Sequence, residues 1–428
     1  MKILLYCLNY APELTGIGKY TGEQAEWLAA RGYDVRVITA PPYYPAWKVE
    51  SAYAGLRYQR EMRNGVDVMR APLWVPARPS GLKRVVHLAS FALSSIGWLA
   101  CQAKWRPDVV FIVEPPLFCS PAALLFARLT NAKVWLHIHD YEVDAAFELG
   151  LLKGKWLRRM ATALERFVLT RFDHVSSISN AMVALARRKG ADDSRLTMLP
   201  NWVDLQGLAR RSDADYRAML GIPADAVVAL YSGTIGAKQG IEVLAEAAQH
   251  LRERDDLHFV FCGAGAGVED LRTRCKGLAR IHFLPLQPWE DFSALLGAAD
   301  IHLMPQRADA ADLVLPSKLA AMLASGKPVV ATAAPETELG KLVAQCGIVV
   351  QPGDSLALAE AIIALSDDPL RSGRLGAAGK AWAEAHLDRD AVLATFEQTL
   401  QRLGSPGVVT ATSATTATTA TTVDSVGD

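Results

Sequence analysis

The chain repeats one local pattern: a short apolar run, a loop with glycines, and then the apolar periodicity of a helix. The first copy follows Ile3–Leu8 and reads NYAPELTGIGKYTGEQAEWLAARG (Asn9–Gly32), and the second reads VVALYSGTIGAKQGIEVLAEAAQHL (Val227–Leu251). The loop glycines are Gly16 and Gly18 in the first copy and Gly233, Gly236 and Gly240 in the second. A parallel strand that leads through such a loop into a helix is a ligand-binding unit of open α/β sheets. The repeat therefore predicts two such units.

The rest of the chain continues this alternation of apolar runs and helical patterns, which is typical of parallel sheets with crossover helices. The strand candidates of the first half are Ile3–Leu8, Val35–Thr39, Val109–Val113, Val134–His139 and Val175–Ile178. Those of the second half are Val227–Tyr231, His258–Phe261, Ile281–Leu284, Ile301–Met304, Val329–Ala331 and Ile348–Val350. Helical periodicity is clear in Ala181–Lys189, Ile241–Arg252, Ala357–Leu365 and Leu370–Ala385. The sequence predicts an α/β protein with two Rossmann-like, doubly wound domains.

The length of 428 residues also favours two domains. Proline and asparagine interrupt the pattern in LPNWVDL (Leu199–Leu205), and we place the joint there. The predicted boundaries are 1–200 for the first domain, 201–385 for the second, 386–403 for a helix that bridges back to the first, and 404–428 for a tail. The tail is rich in threonine and alanine, so we expect it to be disordered.

Composition narrows the class of protein. Lys+Arg and Asp+Glu both total 45, so the charge balance gives no argument for a nucleic-acid partner. Six scattered cysteines without ligand-like spacing favour a reducing cytoplasm, and no signal peptide is recognisable. The stretch between Arg84 and Lys104 is long and apolar enough to span a bilayer, but basic residues flank both of its ends. We expect it to be a crossover helix, because strands before and after it should share one sheet.

Two facing sheets would form a cleft with one glycine loop on each wall, because ligands bind at the carboxyl ends of the strands. Gly16 and Gly18 let backbone amides approach a ligand, although a tight strand–helix turn is the alternative. Thr21 occupies the last glycine position of a G-x-G-x-x-G fingerprint, which disfavours an NAD enzyme. In the second loop, Lys238 places an ammonium beside backbone amides, which suits a nucleotide diphosphate. The alternative is a solvated surface lysine.

Four segments taken together are specific: NYAPELTGIGKYTGE, LHIHDYEVDAAFELGLL, SGTIGAKQGIEVL and VLPSKLAAMLASGKPVV. With them, Met1 to Leu403 resembles the retaining glycosyltransferases of family 4, which have the GT-B fold, and especially the exopolysaccharide transferases of the colanic-acid type. The resemblance implies a nucleotide-sugar donor as substrate, with GDP-fucose suggested, and no cofactor. It also implies a polyprenyl-linked or oligosaccharide acceptor.

The resemblance assigns residues to both walls of the cleft. On the acceptor wall it implies that Thr15–Gly18 lies beside the reacting centre, together with the strand-end histidine, which matches His139, and the following Asp140. On the donor wall the family's phosphate-binding pair reads Gly-Arg…Lys-Gly. Gly233 and Lys238 match this pair, whereas Thr234 replaces the arginine. The other donor-wall glycines are Gly236 and Gly263.

A larger departure concerns the Glu-x7-Glu motif that usually holds the donor sugar and ribose. Aligned on LASGKPVV, the first glutamate becomes Asp312 and the second becomes Ala320. We expect Asp312 to hold a sugar hydroxyl, and Ser317 and Lys318 to take over part of donor binding. Because Ala320 cannot bind a ribose, a non-catalytic subunit of this fold stays an alternative, as does a nucleotide-sugar epimerase.

Retaining transfer requires stabilisation of the leaving diphosphate, and fixed amides with a cation achieve this without a metal. A D-x-D sequence at Asp213–Asp215 lies in a polar connecting segment, which disfavours a metal site there, and no spacing suggests a zinc site. His137 faces the same side of its strand as His139, so one of the two can be structural, and we favour His139 as the site residue. Asp144 and Glu148 could meet acceptor hydroxyls or be solvated.

The segment LLKGKWLRRMATALERFVLTRF (Leu151–Phe172) has the pattern of a basic amphipathic helix. Its cations are Lys153, Lys155, Arg158, Arg159 and Arg166, and its apolar residues are Trp156, Leu157, Met160, Leu164 and Phe167. It could contact an anionic membrane, or it could be a domain helix whose apolar face lies in the core. Since the resemblance implies a lipid-linked acceptor, we expect peripheral, electrostatic association with the inner face of the cytoplasmic membrane.

Overall fold

The structure is a computed structural model that describes residues 1–13, 16–77, 81–148, 154–209, 214–236, 239–308 and 316–404. Within these residues the strands form two separate sheets, which confirms the predicted α/β architecture of two doubly wound domains. The first sheet contains β1 (Lys2–Tyr6), β2 (Asp34–Thr39), β3 (Gln59–Arg63), β4 (Val66–Arg70), β5 (Val109–Glu114), β6 (Lys133–Ile138), β7 (His174–Ser177) and β8 (Leu196–Met198). The second contains β9 (Val227–Ser232), β10 (Leu257–Cys262), β11 (Ile281–Leu284), β12 (Ile301–Pro305), β13 (Val329–Thr332) and β14 (Gly347–Val350).

Strand order reverses at the first strand of each domain. The first sheet has the order β3-β4-β2-β1-β5-β6-β7-β8, and the second has the order β11-β10-β9-β12-β13-β14. All neighbours are parallel except β3 and β4. The loops that leave β1 and β9 therefore lie at topological switch points, where open α/β sheets bind ligands.

Helices cover both faces of each sheet. They are α1 (Ile17–Ala30), α2 (Gly81–Cys101), α3 (Ser120–Thr130), α4 (Glu142–Glu148), α5 (Lys155–Leu169), α6 (Asn180–Arg188), α7 (Leu205–Ala209), α8 (Tyr216–Met219), α9 (Glu242–His250), α10 (Val268–Arg274), α11 (Trp289–Ala298), α12 (Lys318–Ala324), α13 (Glu338–Cys346), α14 (Ser355–Ser366), α15 (Pro369–His386) and α16 (Arg389–Gly404). Short 3-10 segments lie at Ser51–Tyr53, Gln102–Lys104, Leu117–Cys119 and Asp193–Arg195. On the first sheet, core residues of α2, α3, α5 and α6 pack on one face, and those of α1 and α16 pack on the other.

Helix α2 joins β4 to β5, two strands of the same sheet, and its Phe91 and Leu99 lie in the core beneath it. Among the described residues, the segment Gly81–Lys104 is the one helix long and apolar enough to cross a membrane. In its most apolar stretch of 18 residues, 28% of the residues are buried. In this fold it lies along the sheet as a crossover.

The chain crosses between the domains twice. The first crossing follows Trp202, and the second lies between α15 and α16, where Val203 pairs with Asp388 as an isolated parallel bridge. Helix α15 packs against α12 and α13 of the second domain. Helix α16 returns to the first sheet, where Phe396 contacts the rings of Phe111 and Trp135.

Candidate active site

The first glycine loop, residues 9–18, is held by a buried carboxylate. Glu13 accepts hydrogen bonds from the Asn9 side chain (2.9 Å) and from the backbone N–H groups of Tyr43 (3.0 Å) and Tyr44 (2.9 Å). A Cβ built on Gly18 would lie 2.7 Å from the Glu13 side chain, so a larger residue would displace it. Burial raises the pKa of Glu13. The acid is therefore the internal support of this loop.

Gly16 is the N-cap of α1 and has a φ of 63°, a conformation that favours glycine. Because the N-cap is a glycine, it provides no side chain to cap the first turn of α1, which is the end of a helix that attracts anions. Both predicted glycines thus lie where the first strand passes into its helix. Thr15 lies outside the described residues.

His139 and His137 follow one another on the same side of β6, with ring centroids 4.5 Å apart. Nδ1 of His137 is hydrogen-bonded to Ser176 Oγ at 2.9 Å, and its ring stacks on Phe111. Nε2 of His139 is buried and has no hydrogen-bond partner among the described residues. Burial lowers the pKa of His139 to about 3, so its imidazole is neutral at physiological pH. His137 is therefore held by Ser176, whereas a ring nitrogen of His139 stays without a partner in the described part of the chain.

Tyr20, on the first turns of α1, connects the two walls of the cleft. Its ring lies 6.2 Å from that of His139 in a stacked arrangement and 5.0 Å from Trp202 edge-on. The hydroxyl of Ser317, from the second domain, lies close enough to lower the pKa of Tyr20 in part, against the larger rise caused by burial. Tyr20 was not predicted as a site residue, although it lies only two residues after the loop glycine Gly18.

The second glycine loop is fixed by the loop that follows β10. The backbone N–H of Gly233 donates to Cys262 (2.9 Å), and that of Ile235 donates to Ala264 (2.9 Å). A Cβ built on Gly263 would lie 1.9 Å from the carbonyl oxygen of Gly233, so only glycine permits this contact. The carbonyl of Thr234 accepts a hydrogen bond from Tyr231. Gly233, Thr234 and Gly263 are thus brought together, and Gly236 continues the same loop.

Lys318, the first residue of α12, lies against this loop. Its Cδ would be 3.2 Å from a Cβ built on Gly233, and its Nζ lies 4.0 Å from the centroid of the Tyr231 ring. The Nζ atom is buried and has no hydrogen-bond partner among the described residues. Burial lowers the pKa of Lys318 to about 7. A buried amine without an acceptor is an arrangement that an anionic ligand would complete.

A group of buried acids lies on the other face of the first sheet, at the ends of β5 and β6. Both carboxylate oxygens of Glu114 are buried without a hydrogen-bond partner among the described residues, and burial raises the pKa of Glu114 well above the usual range. Burial also raises the pKa of Glu142 to about 7. The charge of Asp140 acts on both acids, which places Asp140 with this group. Asp144 is ion-paired with Lys189 at 2.6 Å.

Several predicted positions cannot be placed. Lys238 and Asp312 lie outside the described residues, as does the side chain of Glu148. In the portion of the chain that is described, no group of three or more His, Cys, Asp or Glu side chains is arranged to hold a metal ion.

Comparison with known families matches both halves of the chain. Residues 15–202 match the glycosyl transferase 4-like domain, and residues 226–368 match the glycosyl transferases group 1 model. The chain is 44% identical over 407 residues to WcaI of Escherichia coli strain K12, named for colanic acid biosynthesis as a glycosyl transferase; the alignment covers 92% of this chain and 98% of WcaI.

Solved structures share the fold at lower identity. Sucrose-phosphate synthase from Thermosynechococcus elongatus superimposes with a TM-score of 0.73 at 21% identity, covering 94% of this chain and 99% of that one. Anabaena HepE, solved with UDP and glucose, gives a TM-score of 0.68 at 17% identity, covering 94% and 100%. Together with the family models and the match to WcaI, these likenesses show that the chain belongs to the GT-B glycosyltransferases of family 4, of the colanic-acid type.

Proposed function

We propose that this glycosyltransferase acts in exopolysaccharide biosynthesis and moves a sugar, with retention of configuration, from a nucleotide-sugar donor to a polyprenyl-linked or oligosaccharide acceptor. The observation that carries the proposal is the convergence of both walls on Tyr20, which contacts His139 of one domain and Ser317 of the other. The name of WcaI supports the pathway. The resemblance favours GDP-fucose as the donor.

The donor wall would bind the diphosphate through the second glycine loop. Its backbone amides follow β9, and the proposed donor contacts are Gly233, Thr234, Gly236, Lys238, Gly263, Asp312, Ser317 and Lys318. As the bond to the sugar breaks, negative charge grows on the leaving diphosphate, and fixed amides with a nearby ammonium stabilise that charge without a metal or a cofactor. Lys238 is proposed for this role, together with the loop amides.

The acceptor wall would position the reacting hydroxyl through Gly16, Gly18, His139 and Asp140. Because its imidazole is neutral, His139 can donate or accept a hydrogen bond but cannot act as a permanent cation. A retaining reaction builds positive charge at the anomeric carbon, and a neutral histidine avoids repulsion there. We therefore assign His139 to hydrogen bonding with a sugar hydroxyl.

Membrane association is supported by helix α5, where several large apolar side chains lie in solvent while Val168 and Leu169 pack in the core. The exposed fractions are 72% for Trp156, 59% for Leu164 and 54% for Phe167. The interpretation of α5 as a helix with its apolar face in the core is therefore wrong for these residues. Arg158, Arg159 and Arg166 lie on the same helix and suit anionic lipid.

The neighbouring helices extend this apolar surface. Leu82, Val86, Leu93 and Ile96 on α2 and Leu125 and Leu129 on α3 are exposed, and both helices belong to the same layer as α5. Large apolar side chains exposed on three helices of one layer favour an interaction site. We propose that this layer rests on the inner face of the cytoplasmic membrane and brings the cleft to a lipid-linked acceptor.

The proposal is tested by incubating the protein with GDP-fucose, GDP-mannose, UDP-glucose and UDP-galactose, with and without a polyprenyl-diphosphate saccharide. Acceptor-dependent release of a nucleoside diphosphate, with an anomeric configuration in the product equal to that of the donor, is expected. Conversion of the nucleotide sugar to its epimer would favour the epimerase alternative. Absence of any turnover despite donor binding would favour a non-catalytic subunit.

A further inference from the structure

We infer that Lys318 is a second cation, in addition to Lys238, that holds the donor's diphosphate, and that it takes up a proton when the donor binds. The inference rests on the proposed function and deepens it. It assigns to the start of α12 the role that the family gives to an arginine in the second glycine loop, where this chain has Thr234.

The placement of Lys318 supports this role. The side chain runs beside Gly233, within van der Waals reach of a Cβ at that position, and its nitrogen points to no acceptor among the described residues. The Nζ atom lies over the face of the Tyr231 ring, 4.0 Å from the ring centroid. A buried lysine with a purely structural role is expected to pair with a carboxylate, as Lys189 pairs with Asp144 and Glu165.

Among the described residues, the groups that face Lys318 supply no opposite charge. From β9 it meets Tyr231, whose pKa is raised by burial, so the phenol is neutral. Its neighbour Ser317 and the facing Tyr20 of α1 contribute hydroxyls, and burial raises the pKa of Tyr20 as well. Burial alone accounts for the lowered pKa of Lys318. The diphosphate of a nucleotide sugar would supply an opposite charge at this amine.

The consequence is a measurable proton exchange. At pH 8 a large part of the free amine is neutral, because its pKa is about 7. Approach of a diphosphate favours the ammonium, so the amine takes a proton from the buffer. Nucleotide sugars suit this test because their diphosphate is esterified at both ends and has no ionisation of its own near neutral pH.

The experiment is calorimetric titration of the protein with the four nucleotide sugars, in HEPES and in Tris at pH 8 and in MES and in Bis-Tris at pH 5.5. The difference in apparent enthalpy between buffers gives the protons bound, and we expect close to one per donor at pH 8 and close to none at pH 5.5. Lys318→Met should bind the donor at least about tenfold more weakly and take up no proton. Lys318→Arg should recover part of the affinity without proton uptake, because its guanidinium is always charged.

Lys327→Met is the matched control, since Lys327 lies before β13 and is ion-paired with Asp300 at 3.8 Å. It should match the wild type in affinity and proton uptake. Wild-type binding without proton uptake at pH 8, or unchanged uptake in Lys318→Met with an unchanged melting temperature, overturns the inference alone. Failure of the wild type to bind or turn over any nucleotide sugar overturns the proposed function and this inference with it.

Discussion

The carboxylate of Glu338 accepts a hydrogen bond of 2.9 Å from the backbone N–H of Ala181, across the cleft between the domains. It accepts a second, of 3.1 Å, from Asn180. Glu338 begins α13 of the second domain, and the two amides begin α6 of the first. One negative charge therefore lies at the amino ends of two helices, and a charge there is stabilising for both.

We expect Glu338→Gln to shift the protein towards a more open cleft, because a neutral amide interacts less strongly with both helix ends. Contacts of this kind contribute about 0.5–2 kcal/mol. Small-angle scattering should show a larger radius of gyration, and donor affinity should fall. The exposed neighbour Glu336→Gln is the control. Equal scattering from both variants would remove Glu338 as a closure contact.

Lys238→Ala should lower kcat by about 10²–10³, the usual effect of removing one electrostatic contact to a developing anion, or roughly 3–4 kcal/mol. Lys238→Arg should recover only part of the rate, because a planar fork does not replace a compact charge. Steady-state kinetics and the melting temperature are the measurements. Lys276→Ala, in an exposed turn, is the control. Near-normal turnover of Lys238→Ala would mean that this lysine is a surface residue.

Substitutions of His137 and His139, at the end of β6, should have opposite effects on stability and on activity. His139→Gln should reduce kcat/KM by roughly fivefold, about 1 kcal/mol for a lost hydrogen bond, with little change in melting temperature. His137→Gln should mainly reduce stability, because it disturbs the bond to Ser176. Since the pKa of His139 is about 3, the wild-type pH–rate profile should show no inflection from this residue between pH 5 and 8. A loss of stability without loss of activity in His139→Gln would contradict the assignment.

Trp156→Ala combined with Phe167→Ala should weaken binding to vesicles that contain anionic lipid by at least about tenfold, because each aromatic buries apolar surface worth roughly 1.5–3 kcal/mol. Salt should weaken binding further, at about 1 kcal/mol per cation near the surface. Flotation with vesicles measures both effects. Leu370→Ala, an exposed apolar residue of the second domain, is the control. Retention through salt and alkaline washes would instead favour a membrane span by α2.

Glu114→Gln should stabilise the protein at pH 8. Burial raises the pKa of Glu114 in the folded state, so the folded protein holds a proton that the unfolded chain releases above about pH 4.5. Wild-type stability therefore falls as pH rises from that value, and the glutamine variant lacks this loss. Chemical denaturation should show that Glu114→Gln has a higher free energy of unfolding than the wild type, and that this difference is larger at pH 8 than at pH 5. A gain independent of pH would indicate that Glu114 titrates normally.

The strands of the two sheets were predictable because most are buried on both faces and read as continuous apolar runs. All eleven predicted strands are present, with ends shifted by at most two residues. Three strands were missed, the short β8 and the neighbouring β3 and β4, and the last two carry charges that are paired in space. Two nitrogens of the Arg60 guanidinium donate hydrogen bonds to the two carboxylate oxygens of Asp67, and the buried Arg70 forms an ion pair with Glu61. Such pairs join two strands and leave no local signal.

The glycine loops of the site were equally predictable, since strand, loop and helix are consecutive in the chain. The role of Tyr20 was not, because it depends on Ser317, which arrives from the other domain. The sequence of α5 predicts an amphipathic helix but not which face is outward. That orientation is set by Glu165, which is buried with Lys189, so that Trp156 and Phe167 point away from the sheet.

The two crossings between the domains are joined to each other. The backbone N–H of Val203 donates to Leu387 (2.9 Å), that of Arg389 donates to Val203 (3.1 Å), and the Arg389 side chain binds Asp204 at 2.8 Å. Because the two connections are held side by side, they oppose sliding and twisting of one domain relative to the other. Bending of the domains about the line through the two connections is opposed less. Opening of the cleft is then a rotation about one fixed axis, and a single angle describes how far the two walls have separated.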